Sequence, residues 1–257
     1  MAEIAPAVDV SWHPERNATD AYLRAGARPV CVQMGADPEV YRPSGTAARR
    51  PAACFVGQRY ADRDEWAAAV LDAGLPLHLY GSGWGAAPSP GPAAGDEPRT
   101  YLGRTRPQPG SASSYVRTAV NEIRMSGLVA GSQRLAHRWS RRAASKAMQE
   151  TLKAGARGRA SDVAEVFGQY ALVLNFSNVW ADGRPGSALV PHVRLRDFEA
   201  PMSRACYLTG HTDEIEAFYE VGREIDTYRT PAELVDKVRF YLGHPAAAEA
   251  KIGRAHV

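Results

Sequence analysis

The sequence of 257 residues predicts an α/β fold in which a parallel β-sheet is flanked by helices. Short apolar segments that end at glycine alternate with segments of helical periodicity, which is typical of strands joined by crossover helices. Apolar side chains make up 45% of the chain and charged side chains 23%, as in ordinary globular domains. The length allows one large domain, or one domain and part of another.

Before this alternation begins, residues 10–25 are predicted to form a helix, which Asn17 or Thr19 could cap. The apolar segment 28–34 predicts a strand. The small and basic residues 44–51 are typical of a linker. These elements therefore precede the main sheet and are separated from it.

The main sheet is predicted from apolar runs that stop at glycine or at small polar residues. Its strands lie near residues 52–56, 76–80, 171–176, 205–208 and 224–228. Segments 62–73 and 161–167 have the apolar periodicity of helices, the second with Ser161 as its cap. Thr230 and Glu233 form a capping box that starts a further helix.

Residues 85–160 interrupt the alternation as a helical, basic insertion. Residues 85–114 are rich in Pro, Gly, Ala and Ser, and we expect a poorly packed loop there. Residues 115–154 show a helical apolar stripe. Segment 124–159 has nine Lys and Arg residues against one acid, which fits a solvated helix face or a surface that binds a polyanion or an acidic membrane.

The three cysteines, Cys31, Cys54 and Cys206, each lie in an apolar strand-like segment, and none forms a C-x-x-C pair. We expect buried, reduced thiols and a cytoplasmic location. No apolar run approaches the length of a membrane span, and no signal peptide begins the sequence. The net charge of +3 is too small to indicate a nucleic-acid partner.

Segment 192–211 concentrates the polar chemistry of the chain. Arg194 and Arg196 precede Glu199, and the following strand ends at Gly210. Ligands of open α/β sheets bind at the carboxyl ends of the strands, so these groups are candidates for a binding site. Guanidinium groups suit phosphate oxygens, and a carboxylate suits sugar hydroxyls. The alternative is a solvated helix surface with an ion pair.

Several motifs carry a resemblance to a known family. They are His192-Val-Arg-Leu-Arg-Asp-Phe-Glu-Ala-Pro-Met-Ser203, Ala205-Cys-Tyr-Leu-Thr-Gly210, Gly222–Arg229 and Glu233–Pro245. Together they resemble the CgeB-like (spore maturation protein) glycosyltransferases. Cys54–Arg63 and Leu79–Trp84 fall on the first two strand–loop units of that family. Met34–Pro43 looks like the crossing between the two domains of the GT-B architecture, and the resemblance covers about residues 28–250.

The resemblance implies a Rossmann-like donor-binding domain, the C-terminal half of a GT-B enzyme. Residues 1–43 would be a remnant of the N-terminal acceptor domain with the interdomain crossing, and residues 44–250 the nucleotide-sugar-binding domain with insertion 85–160. Residues 252–257 match a peptide that a common sequencing adapter encodes, and Lys251 fits the preceding bases. We therefore expect 251–257 to be a non-native tail on a fragment, which by itself would be inactive.

The implied activity is transfer of a sugar from a nucleotide diphosphate-sugar donor to an unknown acceptor. Glu199 would contact the donor ribose and is the catalytic candidate. The donor-binding candidates are Gly57, Arg63, Gly81, Gly83, Asn175, Ser177, Arg194, Arg196, Thr209 and Gly210. The arginines would neutralise the leaving diphosphate, aided by backbone N–H groups after Gly57, Gly81 and Gly210.

Two positions depart from the family pattern. Pro191 stands where related retaining enzymes have a second acid, and Arg204 stands where the family usually has a glycine. Arg204 would therefore either grip the diphosphate or obstruct the site. No Asp-x-Asp motif is evident, so we expect no metal ion, and no cofactor is implied. The alternatives are a nucleotide-binding module without transfer, and polyanion or peripheral membrane binding through 124–159.

Overall fold

The computed structural model describes residues 7–42, 48–85, 145–181 and 186–252. The strands are β1 (Ser11–His13), β2 (Pro29–Cys31), β3 (Arg50–Val56), β4 (Leu77–Tyr80), β5 (Ala156–Gly158), β6 (Tyr170–Asn175), β7 (Asn178–Trp180), β8 (Leu189–Pro191), β9 (Tyr207–Gly210) and β10 (Asp226–Tyr228). The helices are α1 (Thr19–Arg24), α2 (Arg63–Asp72), α3 (Ser145–Gly155), α4 (Val163–Gln169), α5 (Arg196–Met202), α6 (Pro231–Gly243) and α7 (Pro245–Lys251).

The main sheet has six strands in the order β10-β9-β6-β3-β4-β5, and every neighbouring pair is parallel. All five predicted strands are present in this sheet, so the predicted α/β architecture is confirmed. The sixth strand, β5, was not predicted, because Ala156-Arg-Gly158 has no apolar run. It forms at the edge of β4, where the Gly81 N–H donates to the Gly158 carbonyl at 2.7 Å.

Helices cover both faces of the sheet, which explains why β3 is apolar at consecutive positions. Ala53 and Phe55 pack with residues of α2 and α6, whereas Cys54 and Val56 pack with α4 and α5. Each strand therefore contributes alternate side chains to two cores. Both faces of the sheet are therefore buried, and the loops at its carboxyl edge start from packed strands.

The N-terminal segment differs from the helix predicted for residues 10–25. Ser11–His13 forms β1, which pairs in parallel with β2, and α1 begins only at Thr19. The sequence contained the reason, because His13 precedes a proline and is therefore pushed out of the helical conformation. Thr19 is not the cap, since Ala18 occupies that position and no side chain caps the helix.

The remaining helix starts largely follow the sequence. Thr230 caps α6 by accepting a hydrogen bond from the Glu233 N–H at 3.2 Å, as predicted. The cap of α4 is Asp162 rather than Ser161, and its carboxylate accepts from the Glu165 N–H at 3.0 Å. This one-residue error has a small structural effect, because both side chains are good N-cap residues.

The cysteines behave differently from one another. Cys54 and Cys206 are buried free thiols, and burial raises the pKa of Cys206 to about 12. Cys31 is also free but lies exposed on β2, so the prediction that it is buried was wrong. Within the described part of the chain, no helix is long and apolar enough to cross a membrane.

Some predictions lie outside the described residues. These are nearly all of the loop 85–114, most of the basic segment 124–159 and the end of the expected tail, 253–257. The described end of the basic segment contains α3, which agrees with the helical stripe. Lys251 is the last residue of α7, and its ammonium group donates to the Gly222 carbonyl.

Arg204 lies at the amino edge of the sheet, between α5 and β9. Its carbonyl accepts a hydrogen bond from Arg49 Nη2 at 2.6 Å, and Arg49 also donates to the carbonyl of Tyr170, the first residue of β6. Arg204 therefore neither grips a ligand at the carboxyl edge nor obstructs that edge, contrary to the expectation. Its φ of 56° lies in the left-handed region, which explains why a glycine suits this position.

Replacing Arg204 with glycine should stabilise the protein by about 1 kcal/mol, because glycine adopts the left-handed conformation without a steric penalty. Equilibrium unfolding in urea measures the change. Ala73→Gly is the matched control, since Ala73 is also exposed at a helix end but has a φ of −75°. The control should lose stability. A loss in both variants would contradict the explanation.

Candidate active site

The carboxyl edge of the sheet contains a point at which the chain changes direction. From β3 the chain continues to β4 on one side, and it later returns to β6 on the other side. The loops that follow β3 and β6 therefore diverge and leave a crevice between them. In open α/β sheets this crevice is the usual position of a ligand.

A cavity of about 620 Å³ lies at this crevice, between the N-terminal segment and the main sheet. Its lining comes from three parts of the chain: the segment around α1, the loop after β3, and the β7–β8 hairpin with the residues that follow it. The lining residues are Glu15, Ala18, Ala21, Tyr22, Gln58, Tyr60, Arg63, Val179, Trp180, Ala181, Val190, His192 and Arg194. A volume of this size is typical of small-molecule binding sites.

Arg63 is a buried cation on this cavity, with only 6% of its surface exposed. Its Nη1 donates to the Gln58 carbonyl at 3.0 Å, and its guanidinium carbon lies 5.3 Å from the centroid of the Phe55 ring. Within the described residues, its buried Nε has no hydrogen-bond partner. Burial, and next the charge of Arg194, lower the pKa of Arg63 to about 10.

Arg194 is the second cation on the cavity. Its buried Nε also has no hydrogen-bond partner among the described residues, and burial lowers its pKa although Asp197 opposes that shift. The charges of Arg63 and Arg194 repel each other, and both side chains retain a donor that nothing in the described structure accepts. Such an arrangement is costly unless an anion binds to it.

His192 and Glu15 join the cavity wall to the N-terminal segment. The His192 Nε2 lies 3.7 Å from Glu15 Oε1, and burial lowers the pKa of His192 although Glu15 opposes this. Tyr60 and Trp180 add aromatic surface, and the Tyr60 hydroxyl accepts from the backbone N–H of Trp180 at 3.3 Å. The cavity therefore combines cations with aromatic side chains, which can contact a sugar or a base.

Asp197 is the functional candidate that sequence reasoning missed. It is 1% exposed, at the first turn of α5. Its Oδ1 accepts from the Thr209 hydroxyl at 2.8 Å, the Tyr207 hydroxyl at 2.9 Å and the Asn175 amide at 3.3 Å. Its Oδ2 accepts from the Arg194 N–H at 2.6 Å. Burial raises the pKa of Asp197, and these four hydrogen bonds oppose the rise.

The Asp197 network accounts for several residues that were predicted to bind a donor. The side chains of Asn175 and Thr209 are directed to Asp197, and the Ser177 hydroxyl contacts Thr209 and the Gly210 carbonyl, each at 3.0 Å. The four residues do come together at the carboxyl ends of β6 and β9. In this structure their polar side chains bind one another and Asp197.

Arg196 and Glu199 form an ion pair on α5. The Arg196 Nε donates to the carbonyl of Val56, the last residue of β3, at 3.2 Å, and its guanidinium lies over the Phe167 ring. Glu199 is buried, with 5% of its surface exposed. Arg196 and Glu199 are absent from the lining of the described cavity. Pro191, the position of the missing acid, lies exposed at the end of β8.

The glycines after β3 and β4 are required by close packing of two loops. A Cβ on Gly81 would overlap the Gly57 backbone, lying 2.7 Å from the Gly57 carbonyl carbon, and Gly81 has a φ of 122°. A Cβ on Gly83 would make a tight contact, 3.0 Å from the Arg59 Cβ. The Trp84 indole donates to the Gly57 carbonyl at 2.7 Å. The backbone N–H of His211, which follows Gly210, donates to the Tyr228 carbonyl. It is therefore not free to bind a ligand, contrary to the prediction.

The predicted site residues thus all lie at one edge of the sheet but separate into groups. Arg63 and Arg194 line the cavity, Arg196 pairs with Glu199, and the others form the Asp197 network or the glycine turns. Sequence reasoning missed Asp197 together with Tyr60, Trp180, His192 and Glu15. Tyr60 lies in the loop between β3 and Arg63, the first residue of α2, and this closeness to a predicted site residue was a usable signal, whereas Glu15 has none.

Comparisons with known proteins agree with this architecture. A family model described as "Glycosyl transferase-like" matches residues 113–257, more than half of the chain. A comparison with curated protein sequences gave no match.

Three solved structures show the same fold over 99% of this chain. HepE (Alr3699) of Anabaena in complex with UDP has a TM-score of 0.54, 12% identity and 60% of its own length covered. Sucrose-phosphate synthase from Thermosynechococcus elongatus has a TM-score of 0.53, 14% identity and 54% of its own length covered. A point mutant of S. aureus TarM has a TM-score of 0.53, 10% identity and 41% of its own length covered. The chain thus spans about half the length of the structures it matches, and these likenesses confirm the Rossmann-like, GT-B type of fold.

Gly81→Ala should destabilise the protein by about 1–3 kcal/mol more than Gly158→Ala, because only the first adds overlap with a neighbouring backbone. Gly158 is the matched control, since its φ of 81° is also positive but nothing lies within 4 Å of an added Cβ. Urea unfolding of both variants measures the difference. Equal losses would mean that conformation alone, rather than the contact with Gly57, requires glycine at position 81.

Proposed function

Because the chain belongs to the glycosyl transferase-like family, we propose that it supplies the donor-binding part of a glycosyltransferase. The donor is a nucleotide diphosphate-sugar, whose sugar passes to an acceptor that the described residues do not identify. The observation that carries the proposal is the pair of guanidinium groups of Arg63 and Arg194, which line one cavity and whose buried Nε atoms have no partner within the described structure.

A diphosphate fits this pair for electrostatic reasons. Two guanidinium groups in a partly desolvated crevice repel each other, and an anion between them removes the repulsion while accepting hydrogen bonds from both guanidinium groups. During transfer the carbon–oxygen bond between the sugar and the diphosphate breaks, and the diphosphate keeps both electrons of that bond. Its negative charge therefore increases. Cations that are already fixed in position stabilise that charge without reorganisation.

The rest of the donor would extend from the cations along the crevice. Tyr60 and Trp180 offer aromatic surface for the sugar or the base, and Glu199 is proposed to bind ribose hydroxyls. Because Arg196 already binds Glu199 Oε2, we propose that Arg196 orients this carboxylate and that its charge also acts on the diphosphate. The packed glycine turns at Gly57, Gly81 and Gly83 would form the floor beside it.

Two neighbours support the choice of nucleotide. HepE of Anabaena is described in complexes with UDP and with UDP and glucose, and TarM of S. aureus in a complex that includes UDP. We propose a uridine diphosphate-sugar as the donor for this chain by analogy. The finer proposals rest on the sequence motifs: a CgeB-like subfamily, an acceptor-side segment at 1–43, a donor-binding domain at 44–250 and a cytoplasmic location.

Arg194→Gln should weaken the binding of UDP by about 1.5–3 kcal/mol, which is the usual loss of a hydrogen bond to a charged group. Isothermal titration at about 0.05 M and 0.3 M salt measures it. The wild-type affinity should fall as salt rises, and the variant should depend less on salt because one cation has been removed.

Arg223→Gln is the matched control for this experiment. Arg223 is exposed and pairs with Glu220 at 2.8 Å, so the substitution removes the same charge outside the cavity. Its UDP affinity should equal that of the wild type. Equal weakening in both variants would mean that net charge, rather than a defined site, governs binding. No binding of UDP to the wild-type chain would contradict the proposed function.

A further inference from the structure

The buried carboxylate of Asp197 has no contact with the cavity, yet it lies between two of the elements that form the site. It joins the carboxyl ends of β6 and β9, through Asn175 and Thr209, to the segment that leads into α5. The Tyr219 hydroxyl also donates to the Asp197 carbonyl at 2.7 Å, which fixes the backbone of the same residue. Hydrogen bonds therefore restrain both the carboxylate and the backbone carbonyl of Asp197.

The two carboxylate oxygens have different partners. Oδ1 accepts from three side chains, whereas Oδ2 accepts from the backbone N–H of Arg194 at 2.6 Å. Because carboxylates accept hydrogen bonds only, this arrangement suits the ionised form. The Oδ2 contact holds the backbone from which the Arg194 side chain enters the cavity. The position of that guanidinium thus depends on a residue that is itself 1% exposed.

We propose that Asp197 is a positioning residue for anion binding: its Oδ2 fixes the Arg194 backbone, and thereby holds the Arg194 guanidinium against the diphosphate. The proposal rests on the proposed function, since it names the residue that orients one of the two cations. It also explains why three side-chain donors from β6 and β9 converge on this carboxylate. These donors fix the carboxylate through Oδ1, and Oδ2 then fixes the Arg194 backbone.

Asp197→Asn separates positioning from simple electrostatics. The substitution removes a negative charge from beside Arg194, so electrostatics alone predicts tighter binding of an anion. Positioning predicts weaker binding, because the amide cannot accept from the three donors and from the Arg194 N–H at the same time. The two explanations therefore predict changes of opposite sign.

The experiment titrates inorganic pyrophosphate into the full chain and follows amide hydrogen exchange of Arg194 by NMR. Asp197→Asn should weaken pyrophosphate binding about tenfold and should speed exchange of the Arg194 N–H. Asp197→Glu, which keeps the charge but moves the carboxylate by one methylene, should weaken binding as well. In the Arg194→Gln background, Asp197→Asn should cause no further loss beyond about twofold, because coupled residues are not additive.

Tyr241→Phe is the control. It removes a tyrosine hydroxyl that donates to a different carboxylate, Asp226 Oδ2, at 2.7 Å, and leaves the hydrogen bonds of Asp197 intact, so it should lower the stability to urea but keep pyrophosphate affinity within about twofold. Equal weakening in Tyr241→Phe would indicate general loosening and would overturn the proposal. Unchanged Arg194 exchange in Asp197→Asn would also overturn it, whatever the affinities. If the wild type does not bind pyrophosphate, the proposed function fails, and Arg194 exchange still decides the role of Asp197.

Discussion

The buried carboxylate of Asp197 is the interaction on which the carboxyl edge depends. A carboxylate that is 1% exposed is costly unless donors surround it, and here four hydrogen bonds do so. Those donors come from β6, from β9 and from the segment before α5. A single buried charge therefore joins the start of one helix to the ends of two strands that already pair in the sheet. The loops that form the crevice begin at these elements, so their positions depend on the same hydrogen bonds.

Arg63 and Arg194 illustrate the opposite condition. Both guanidinium groups are largely buried, and the charge of Arg194 lowers the pKa of Arg63 by repulsion. Each side chain also has a buried Nε without a partner in the described residues. Stable interiors satisfy such donors. The contrast between a fully bonded anion at Asp197 and incompletely bonded cations at the cavity favours a ligand that supplies acceptors. In the proposed function that ligand is the diphosphate of the donor.

The sequence was most informative where local chemistry determined structure. Apolar runs that end at glycine or at small polar residues predicted four of the five main strands, and the Thr230–Glu233 pair predicted the start of α6. The sequence was least informative where tertiary contacts decided. Ala156–Gly158 becomes β5 only because β4 offers an edge, and Glu15 reaches His192 only after the chain has folded. Ser11–His13 was mistaken for helix although the following proline argued against it.

The candidate site shows the same division. Arg194, Arg196 and Glu199 could be selected from residue types, because cations and a carboxylate before a strand end suggest phosphate and sugar chemistry. Asp197 could not be selected in this way, since its partners at positions 175, 207 and 209 converge only in the folded sheet. The separation of Arg63 and Arg194 from the Arg196–Glu199 pair likewise required the structure. Residue type identified the chemistry, and packing decided which groups share one cavity.

The most direct test of the account follows the guanidinium groups themselves. In a ¹⁵N-labelled sample, the Nε–Hε signals of Arg63 and Arg194 can be observed while UDP is added. Because both Nε atoms lack partners in the described structure, these two signals should show the largest shifts and the strongest protection from exchange. Shifts confined to other residues, with both Nε–Hε signals unchanged at saturation, would contradict the assignment of this cavity as the diphosphate site.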